Sequence, residues 1–467
     1  MSCTVGPDYR APDQAMPEHW TSPTNTGTSV AVEQPPVSIE RWWQEFKDPV
    51  LDSLVRRALE SNLDLEAAAA RVRQARATMG VVGAGLYPNV NASSSYSVDG
   101  VVRGGSTELW RTGLDATWEL DIFGGIRRSV EASSANLQAT LEDRRDVQVT
   151  LLGELATDYF QYRGLQQELS IAESNLEAQQ RNVTLTQSKK KLGTGTELDV
   201  SQAQVQVAGT QAQMASLESA RQQALYAISV LLGRQPTALD TELQDKSPIP
   251  APPSVLPVGV PSELLRRRPD IRRAERQLAA ATAQIGVATA DLYPHFSLSA
   301  GLGVQGPTFA SMGNVNDGTW SLGPGISWPL FAAGRIRSNI EVQNALQSQA
   351  MTTFRKTVIV ALQEVQNALV AFAKEQERRV ALTTAVEGSQ RSVAYATRRY
   401  QQGLTDFLSV LDAQRSLFAS QVALVQSDRA VGTDAVALYK ALGGGWEITD
   451  EPIAPDSTTA PGPASTR

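Results

Sequence analysis

The chain has 467 residues, of which 42% are hydrophobic and 19% are charged, the balance of an ordinary folded protein. Its 42 basic and 49 acidic residues give a net charge of -7, which excludes a nucleic-acid-binding protein with a basic surface. The two histidines, His19 and His295, and the single cysteine show no metal-ligand spacing, so neither an enzyme nor a cofactor site is expected. No apolar run approaches the roughly 18 residues of a transmembrane helix, so membrane contact is expected only through strands or a lipid.

The N-terminal stretch MSCTVGPDYRAP contains the only cysteine, Cys3. Lipoproteins carry their acyl chains on a cysteine that follows a small residue, and Ser2 precedes Cys3 here. The pattern predicts a covalent lipid on Cys3, within a lipoprotein-like extension over residues 1–49. The alternative is an incidental exposed thiol. A single lipid gives marginal attachment unless another membrane element assists it.

Four segments alternate between apolar and polar residues at every step, which is the period of a β-strand. They occur as two pairs, over about residues 89–122 and 295–331. Aromatic residues lie near the strand ends, as in the girdles of outer-membrane barrels. The smallest bacterial barrels need about eight strands, so several copies of the chain are expected to share one barrel. The alternative is two exposed amphipathic hairpins.

The segment WRTGLDATWELDIFGG shows the two faces of a strand most clearly. Trp110, Leu114 and Trp118 share one parity and are expected to face lipid. The other parity is polar and is expected to face the lumen of the barrel. Its charged members are Arg111, Asp115, Glu119 and Asp121. Because acids predominate among them, the pattern predicts a mild preference for cations.

The sequence repeats itself at a spacing of about 206 to 210 residues. The stretch KLGTGTELDVSQAQ, for example, returns as QQGLTDFLSVLDAQ. Each copy is predicted to contain helices, a strand pair and a helical hairpin whose first helix runs about 100 Å without proline. The first repeat is predicted over residues 50–233, with its helical hairpin at about 126–233, and the second over residues 262–446, with its hairpin at about 336–443. A Pro-rich linker over residues 234–261 joins the repeats, and a disordered tail is predicted over residues 447–467.

Several stretches, in a consistent order, carry a family resemblance: CTVGPDYRAP, VPSELLRRRPDIRRAERQLAAATAQIGVATADLYP, GLTDFLSVLDAQRSLFASQ and YKALGGGW. The sequence resembles the TolC-like outer-membrane efflux proteins, and more closely their lipoprotein (OprM/NodT-type) branch, from Cys3 to Trp446. The resemblance implies a mixed α/β membrane protein made mainly of long α-helices. It further implies a homotrimer in which four β-strands per protomer form a 12-stranded transmembrane β-barrel and the helices form a coiled-coil α-barrel in the periplasm.

The resemblance also implies a role in transport across the outer membrane of a Gram-negative bacterium. Family members are the exit duct of a tripartite efflux system, with a periplasmic adaptor and an inner-membrane pump, here expected to be of the RND type. The expected cargo is small toxic compounds or drugs. One alternative is a duct for type I protein secretion, and another, of a different class, is a lipid-anchored periplasmic spacer or adaptor. The four alternating strands distinguish a duct from an adaptor, which needs no strand facing lipid.

Two turns, LGTGTELD and QGLTDFLSVLD, close the predicted helical hairpins. In TolC-like proteins these tips close the periplasmic mouth, so the resemblance implies a gate here. Leu408 is expected to narrow the opening. Asp412 and Asp199 are expected to form rings of acids around a threefold axis and to set the charge of the mouth. Tyr400 and Arg415 are expected to hold the closed tips together by hydrogen bonds.

Two departures from the family pattern also lie at turns. Ser409 stands where some family members carry a further acid, so an additional ring of acids is not expected. After the fourth strand, FAAGRIR has Ala332 and Ala333 in place of the Asp-Gly pair of a common Phe-Asp-Gly-Gly-Arg stretch. The geometry of that turn is therefore left open by the sequence.

Overall fold

A computed structural model describes residues 4–20, 39–253, 260–310 and 318–447 of the chain. The predicted lipid site at Cys3 and the predicted tail after residue 447 lie outside the described residues. The chain divides into two compact units, each assembled from several stretches of sequence. The first unit comprises Met1–Ala15, Ala68–Arg144 and Pro269–Ile359, and the second comprises Met16–Ala67, Arg145–Arg268 and Val360–Arg467.

The helices recur as two sets of matching length. Their bounds are α1 Pro49–Ser61, α2 Leu63–Gly83, α3 Gly125–Lys191, α4 Glu197–Leu231, α5 Leu264–Arg267, α6 Pro269–Ala290, α7 Arg335–Gln401 and α8 Phe407–Ala441. Helices α3 and α7 have 67 residues each, and α4 and α8 have 35 each. At 1.5 Å per residue the longer pair extend for about 100 Å. None of the described helices combines the length and the apolar character that a membrane-spanning helix requires.

One antiparallel sheet in the first unit contains all four described strands. Their bounds are β1 Asn89–Gly100, β2 Ser106–Leu120, β3 His295–Gly306 and β4 Gly318–Ser327. The order is β1-β2-β3-β4, so β2 and β3, which come from different repeats, pair in the centre. Trp118 lies opposite Leu298 and Leu302 lies opposite Trp320, a register that keeps the apolar side chains on one face. The outer edges of β1 and β4 have no strand partner among the described residues.

Strand β4 is shorter than predicted from the sequence. It ends at Ser327, whereas the predicted strand pair extends to about residue 331. Pro329 lacks an N–H and cannot donate to a ladder. The chain then turns into α7 through Ala333 and Gly334, whose φ angles are 47° and 84°. Ala333 thus adopts the left-handed conformation, which costs a residue with a Cβ about 1–2 kcal/mol. The turn therefore forms with Ala333 at the position where the common family stretch has glycine.

The repeat-related helices α2 and α6 differ in the number of residues that are buried within one chain. Helix α6 has 22 residues, of which 12 are buried, and Ala279 and Ala280 pack against Ala135 of α3. In α2, with 21 residues, only Ala68 and Val72 are buried. Because α2 and α6 are repeat-related, we expect α2 to be buried to a similar extent as α6. Its exposure in the single chain therefore indicates that a packing partner of α2 lies outside the chain.

The core of the second unit is aromatic and includes part of the N-terminal extension. Trp42, in the short 3-10 helix over residues 39–46, is 1% exposed and stacks on Tyr439 of α8 with ring centroids 5.3 Å apart. Phe46 packs edge-on against Phe160 of α3, at 5.1 Å between centroids. The N-terminal extension is therefore part of the packed core rather than an appendage, as its aromatic residues indicate.

Candidate functional site

The two helical hairpins end in turns of the same geometry. After α3, the N–H of Gly193 donates to Lys190 O and the N–H of Thr194 donates to Lys189 O. After α7, Gly403 donates to Tyr400 O and the next residue donates to Arg399 O in the same pattern. Gly193 and Gly403 have φ angles of 73° and 75°, which only glycine adopts without strain. Each turn therefore reverses the chain tightly and begins the second helix of its hairpin at an equivalent place.

The acids at the start of α4 and α8 cap those helices. Thr196 and Asp199 form a capping box, in which Asp199 N donates to Thr196 Oγ1 at 3.2 Å and Thr196 N donates to Asp199 Oδ2 at 3.0 Å. Asp406 Oδ1 accepts hydrogen bonds from the Ser409 hydroxyl at 2.7 Å and from Ser409 N at 3.1 Å. These hydrogen bonds lower the pKa of Asp406, the side-chain bond most of all. The predicted gate residue Asp199 is thus also a structural cap.

An apolar cluster, which we call the tip core, joins the two hairpins of one chain. It consists of Ala203, Tyr400, Phe407, Val410 and Leu411. Phe407 is 1% exposed, and its ring centroid lies 5.2 Å from that of Tyr400. Because its members come from α4, α7 and α8, separation of these helices would expose the tip core to water.

Tyr400 is held at the tips in a different way from that expected. Its hydroxyl is buried and has no hydrogen-bond partner among the described residues, so the predicted hydrogen bond from Tyr400 is not made within one chain. Instead, Lys189 Nζ donates to Tyr400 O at 2.6 Å and lies 4.1 Å from the centroid of its ring. Burial raises the pKa of Tyr400, and the charge of Asp199 raises it further. Lys189, which sequence reasoning missed, therefore ties α3 to α7.

The remaining predicted gate residues lie near the start of α8 and are exposed. Leu408 is 46% exposed, and the side chains of Asp412 and Arg415 are 65% and 54% exposed. Arg415 Nη1 lies 3.9 Å from Asp412 Oδ1, as their shared helix face predicts. Arg415 Nε donates to Gln206 Oε1 at 3.1 Å, which links α8 to α4. Within one chain, Arg415 thus makes an inter-helix hydrogen bond of the predicted kind.

Three charged residues of β2, Arg111, Asp115 and Glu119, lie on one face of the sheet and have polar neighbours. The Arg111 guanidinium donates to Gln305 Oε1 at 2.9 Å and 3.2 Å. Asp115 Oδ2 accepts from the Ser93 hydroxyl at 2.8 Å. Glu119 Oε1 lies 2.9 Å from His295 Nδ1. Together with Asp99 of β1, which lies opposite Thr107, this face therefore carries three acids and one guanidinium among polar side chains.

The assignment of Asp121 to the lumen face is corrected by the structure. Strand β2 ends at Leu120, and Asp121 follows it outside the sheet. Its carboxylate accepts from Ile126 N at 3.1 Å and from Arg127 N at 2.9 Å, and it pairs with Arg127 Nε at 3.0 Å. Asp121 therefore satisfies N–H groups at the start of α3, where a negative charge is favoured by the helix dipole.

The opposite face of the sheet is apolar and exposed in the single chain. Leu302, Leu322 and Ile326 are 66%, 64% and 70% exposed, and Trp320 is 79% exposed. Monomeric soluble proteins rarely expose a contiguous apolar face of this kind. At the helix-proximal end of the sheet the indole of Trp118 donates to Leu86 O at 3.0 Å, as expected for an amphipathic ring at a membrane boundary.

A sheet with one lipid-like face, one polar face and two open edges, in a chain of long helical hairpins, defines an outer-membrane channel protein. The chain belongs to the outer membrane efflux protein family, whose family model matches residues 54–234 and 260–444. The predicted family, fold class and role in outer-membrane efflux are thereby confirmed.

Relatives of the chain cover almost its whole length. The solvent efflux pump outer membrane protein SrpC of Pseudomonas putida is 34% identical over 455 residues, which are 96% of each chain. The pyoverdine export outer membrane protein OpmQ of Pseudomonas putida is 35% identical over 445 residues, 93% of each chain. The solved structure of the outer-membrane channel OprN is similar with a TM-score of 0.88 and 40% identity, covering 95% of this chain and 100% of that one.

Proposed function

We propose that three copies of the chain form the exit duct of a tripartite efflux system. The observation that carries the proposal is the sheet, which has a lipid-like face and two unpaired edges. Four strands are too few for closure, which needs about eight, whereas β4 of one copy paired with β1 of the next closes a barrel of 12. The exposure of α2 supports the same arrangement, because its repeat-related partner α6 is packed within the chain.

The partners in this proposal are a periplasmic adaptor and an inner-membrane pump of the RND type. The cargo is small toxic compounds, delivered by the pump. SrpC and OpmQ are named for solvent and pyoverdine, yet the chain is about equally similar to both. This similarity supports a duct that does not itself select its cargo.

The gate in this proposal lies at the helix tips. Leu408 narrows the mouth, and Asp412 and Asp199, repeated around a threefold axis, give it a negative charge. The tip core, the hydrogen bond of Arg415 to Gln206 and the contact of Lys189 with Tyr400 stabilise the closed arrangement. An adaptor that binds the open tips more tightly would shift the population toward the open state.

Single-channel conductance in a planar bilayer tests the duct and its gate together. The purified wild-type protein should give small, flickering currents, and Asp412→Ala should give larger ones. The substitution removes the contact of the Asp412 carboxylate with Arg415 and reduces the negative charge of the mouth. Glu60→Ala, at an exposed acid of α1, is the matched control and should behave like wild type. If folded, inserted protein conducts in neither form, the duct proposal is wrong and a periplasmic spacer explains the chain better.

The polar face of the sheet should give the open channel a mild preference for cations. Replacing both Asp115 and Glu119 by their amides removes two acids from that face and leaves Asp99 and Arg111, whose charges are opposite, so the cation-to-anion permeability ratio should fall toward one. The reversal potential in a salt gradient measures this ratio. The same change at Asp121, which caps α3, should leave the ratio unchanged, and an anion-selective wild-type channel would contradict the prediction.

We also propose that Cys3 carries a lipid. The support is the sequence around Cys3 and the described residues that follow it, which are fixed against the first unit close to the end of β2. A lipid at this place would act together with the barrel, since one acyl chain alone gives only marginal membrane attachment.

A further inference from the structure

The described N-terminal residues 4–9, which we call the N-terminal strap, dock on the first unit without forming regular secondary structure. Val5 N donates to Phe123 O at 3.1 Å, just after the end of β2. Thr4 lies against Gly124, where a Cβ would stand 3.0 Å from Thr4 Cα. The strap therefore begins at the junction between the sheet and α3.

Arg128 of α3 binds the strap through two of its three guanidinium nitrogens. It is 4% exposed. Its Nε donates to Val5 O at 3.2 Å, and its Nη2 donates to Asp8 Oδ1 at 2.6 Å and to Gly6 O at 3.4 Å. Glu131, one turn further along α3, accepts from Nη1 at 2.8 Å. A buried arginine with all of its partners supplied by the strap and by α3 is a built site rather than a surface contact.

Two glycines allow the strap to lie this close. Gly6 has a φ angle of 87°, and a Cβ at this position would stand 2.4 Å from Gly286 Cα. A Cβ on Gly286 would in turn stand 2.8 Å from Arg128 Cγ. Beyond the glycines, the Tyr9 hydroxyl donates to Glu275 Oε1 at 2.7 Å, and the Tyr9 ring packs on alanines of α3 and α6.

The repeat-related positions on α7 and α2 lack the charged side chains that hold the strap. Arg128 corresponds to Ser338 at the spacing of the repeat, and Glu275 corresponds to Ala69. The two charged residues that hold the strap are therefore specific to α3 and α6 and do not recur in the other repeat.

The N-terminal end of the strap lies beside a layer of aromatic side chains at the end of the sheet that is nearer the helices. Phe123 stacks on Tyr293 with ring centroids 4.6 Å apart, and the indoles of Trp118 and Trp328 donate to the carbonyl groups that precede the strand pairs. Such aromatic girdles mark the level of the membrane interface in outer-membrane barrels. Thr4 and Val5, which contact Gly124 and Phe123, lie beside this layer.

We propose that Arg128 is the positioning residue of a dock that fixes the N-terminus of the chain at the bilayer surface. The dock delivers whatever is attached at residue 3 to the membrane beside the end of β2, which fixes the point at which an acyl chain enters the bilayer. This inference rests on the proposed insertion of the sheet in the membrane, but it does not require that Cys3 is acylated.

The test uses the full chain in unacylated form, labelled with a maleimide dye at Cys3, its only cysteine. The labelled protein is reconstituted in phosphatidylcholine vesicles that contain a lipid with a quencher on its headgroup. The wild-type dye should be strongly quenched. Quenching should fall at least threefold in Arg128→Ala and in Gly6→Ala, and the repeat-related control Ser338→Ala should match wild type. Gly6→Ala places a Cβ against the backbone of Gly286 and so displaces the strap without removing any side chain of the body.

Quenching of the intrinsic tryptophans by the same lipid reports insertion of the sheet. The proposed dock is wrong if the wild-type protein inserts and its dye is not quenched. It is also wrong if the Arg128→Ala and Gly6→Ala proteins insert and their dyes are quenched as strongly as in wild type. Folded protein in which neither the tryptophans nor the dye is quenched would overturn the proposed function itself.

Discussion

Phe407→Ala should produce a channel that stays open for most of the recording. Phe407 is the first residue of α8, is 1% exposed and contacts Tyr400 within the tip core. Truncation of a buried phenylalanine to alanine costs about 3–5 kcal/mol. This cost destabilises the arrangement in which α4, α7 and α8 pack together. The closed tips should therefore lose most of their free-energy advantage over the open tips. Single-channel recording should show larger and longer openings than for wild type.

The matched control for this prediction is Leu198→Ala. Leu198 is an apolar residue at the same tip, in the first turn of α4, but it is 64% exposed and lies outside the tip core. Its truncation should change neither conductance nor open time. Hydrogen exchange of the tip amides provides the second measurement. Faster exchange in Phe407→Ala together with unchanged currents would mean that the tip core stabilises the hairpins without closing the duct.

The strands and the long helices could be predicted because their patterns are periodic and local. Alternation in WRTGLDATWELDIFGG places Leu114 and Trp118 on one face and Asp115 and Glu119 on the other, and the register of the sheet keeps them there. A shift of one residue would move every side chain to the wrong face. For the same reason, the exposed apolar face follows from the sequence without any knowledge of tertiary contacts.

The roles of individual acids could not be predicted from the alternation, because a carboxylate serves equally well in a lumen, in a gate or at a helix start. Asp121 continues the parity of the lumen acids, yet β2 ends one residue earlier and its carboxylate caps α3. For Asp199, the spacing from Thr196 fits a capping box, so a local signal for this role was present.

Lys189 could not be selected from the sequence at all. It belongs to a run of three lysines at the end of α3, which is typical of a solvated helix C-terminus. Its partner, Tyr400, is 211 positions away, and no periodic pattern indicates which of three adjacent lysines meets it. The tertiary packing of α3 beside α7 decides this, and only the structure shows it.

Lys189→Met should weaken the closed state by removing the ammonium group while keeping most of the apolar stem. The loss comprises the hydrogen bond to Tyr400 O at 2.6 Å and the contact of the ammonium with the ring at 4.1 Å. A hydrogen bond from a charged donor contributes about 1.5–3 kcal/mol, which partial exposure of Lys189 reduces to about 1–2 kcal/mol. The ratio of open to closed channels should therefore rise roughly 5–30-fold.

Lys190→Met is the control that separates this tie from a general effect of charge at the tips. Lys190 is the next residue, carries the same charge and pairs with Glu197 within its own turn, on the exposed side of the hairpin. Both variants remove one positive charge per chain from the same tip. An increase in open probability confined to Lys189→Met would identify the contact between α3 and α7 as a restraint on opening. Equal increases in both variants would instead assign the effect to the net charge of the tips, and the Lys189–Tyr400 contact would then have no part in the gate.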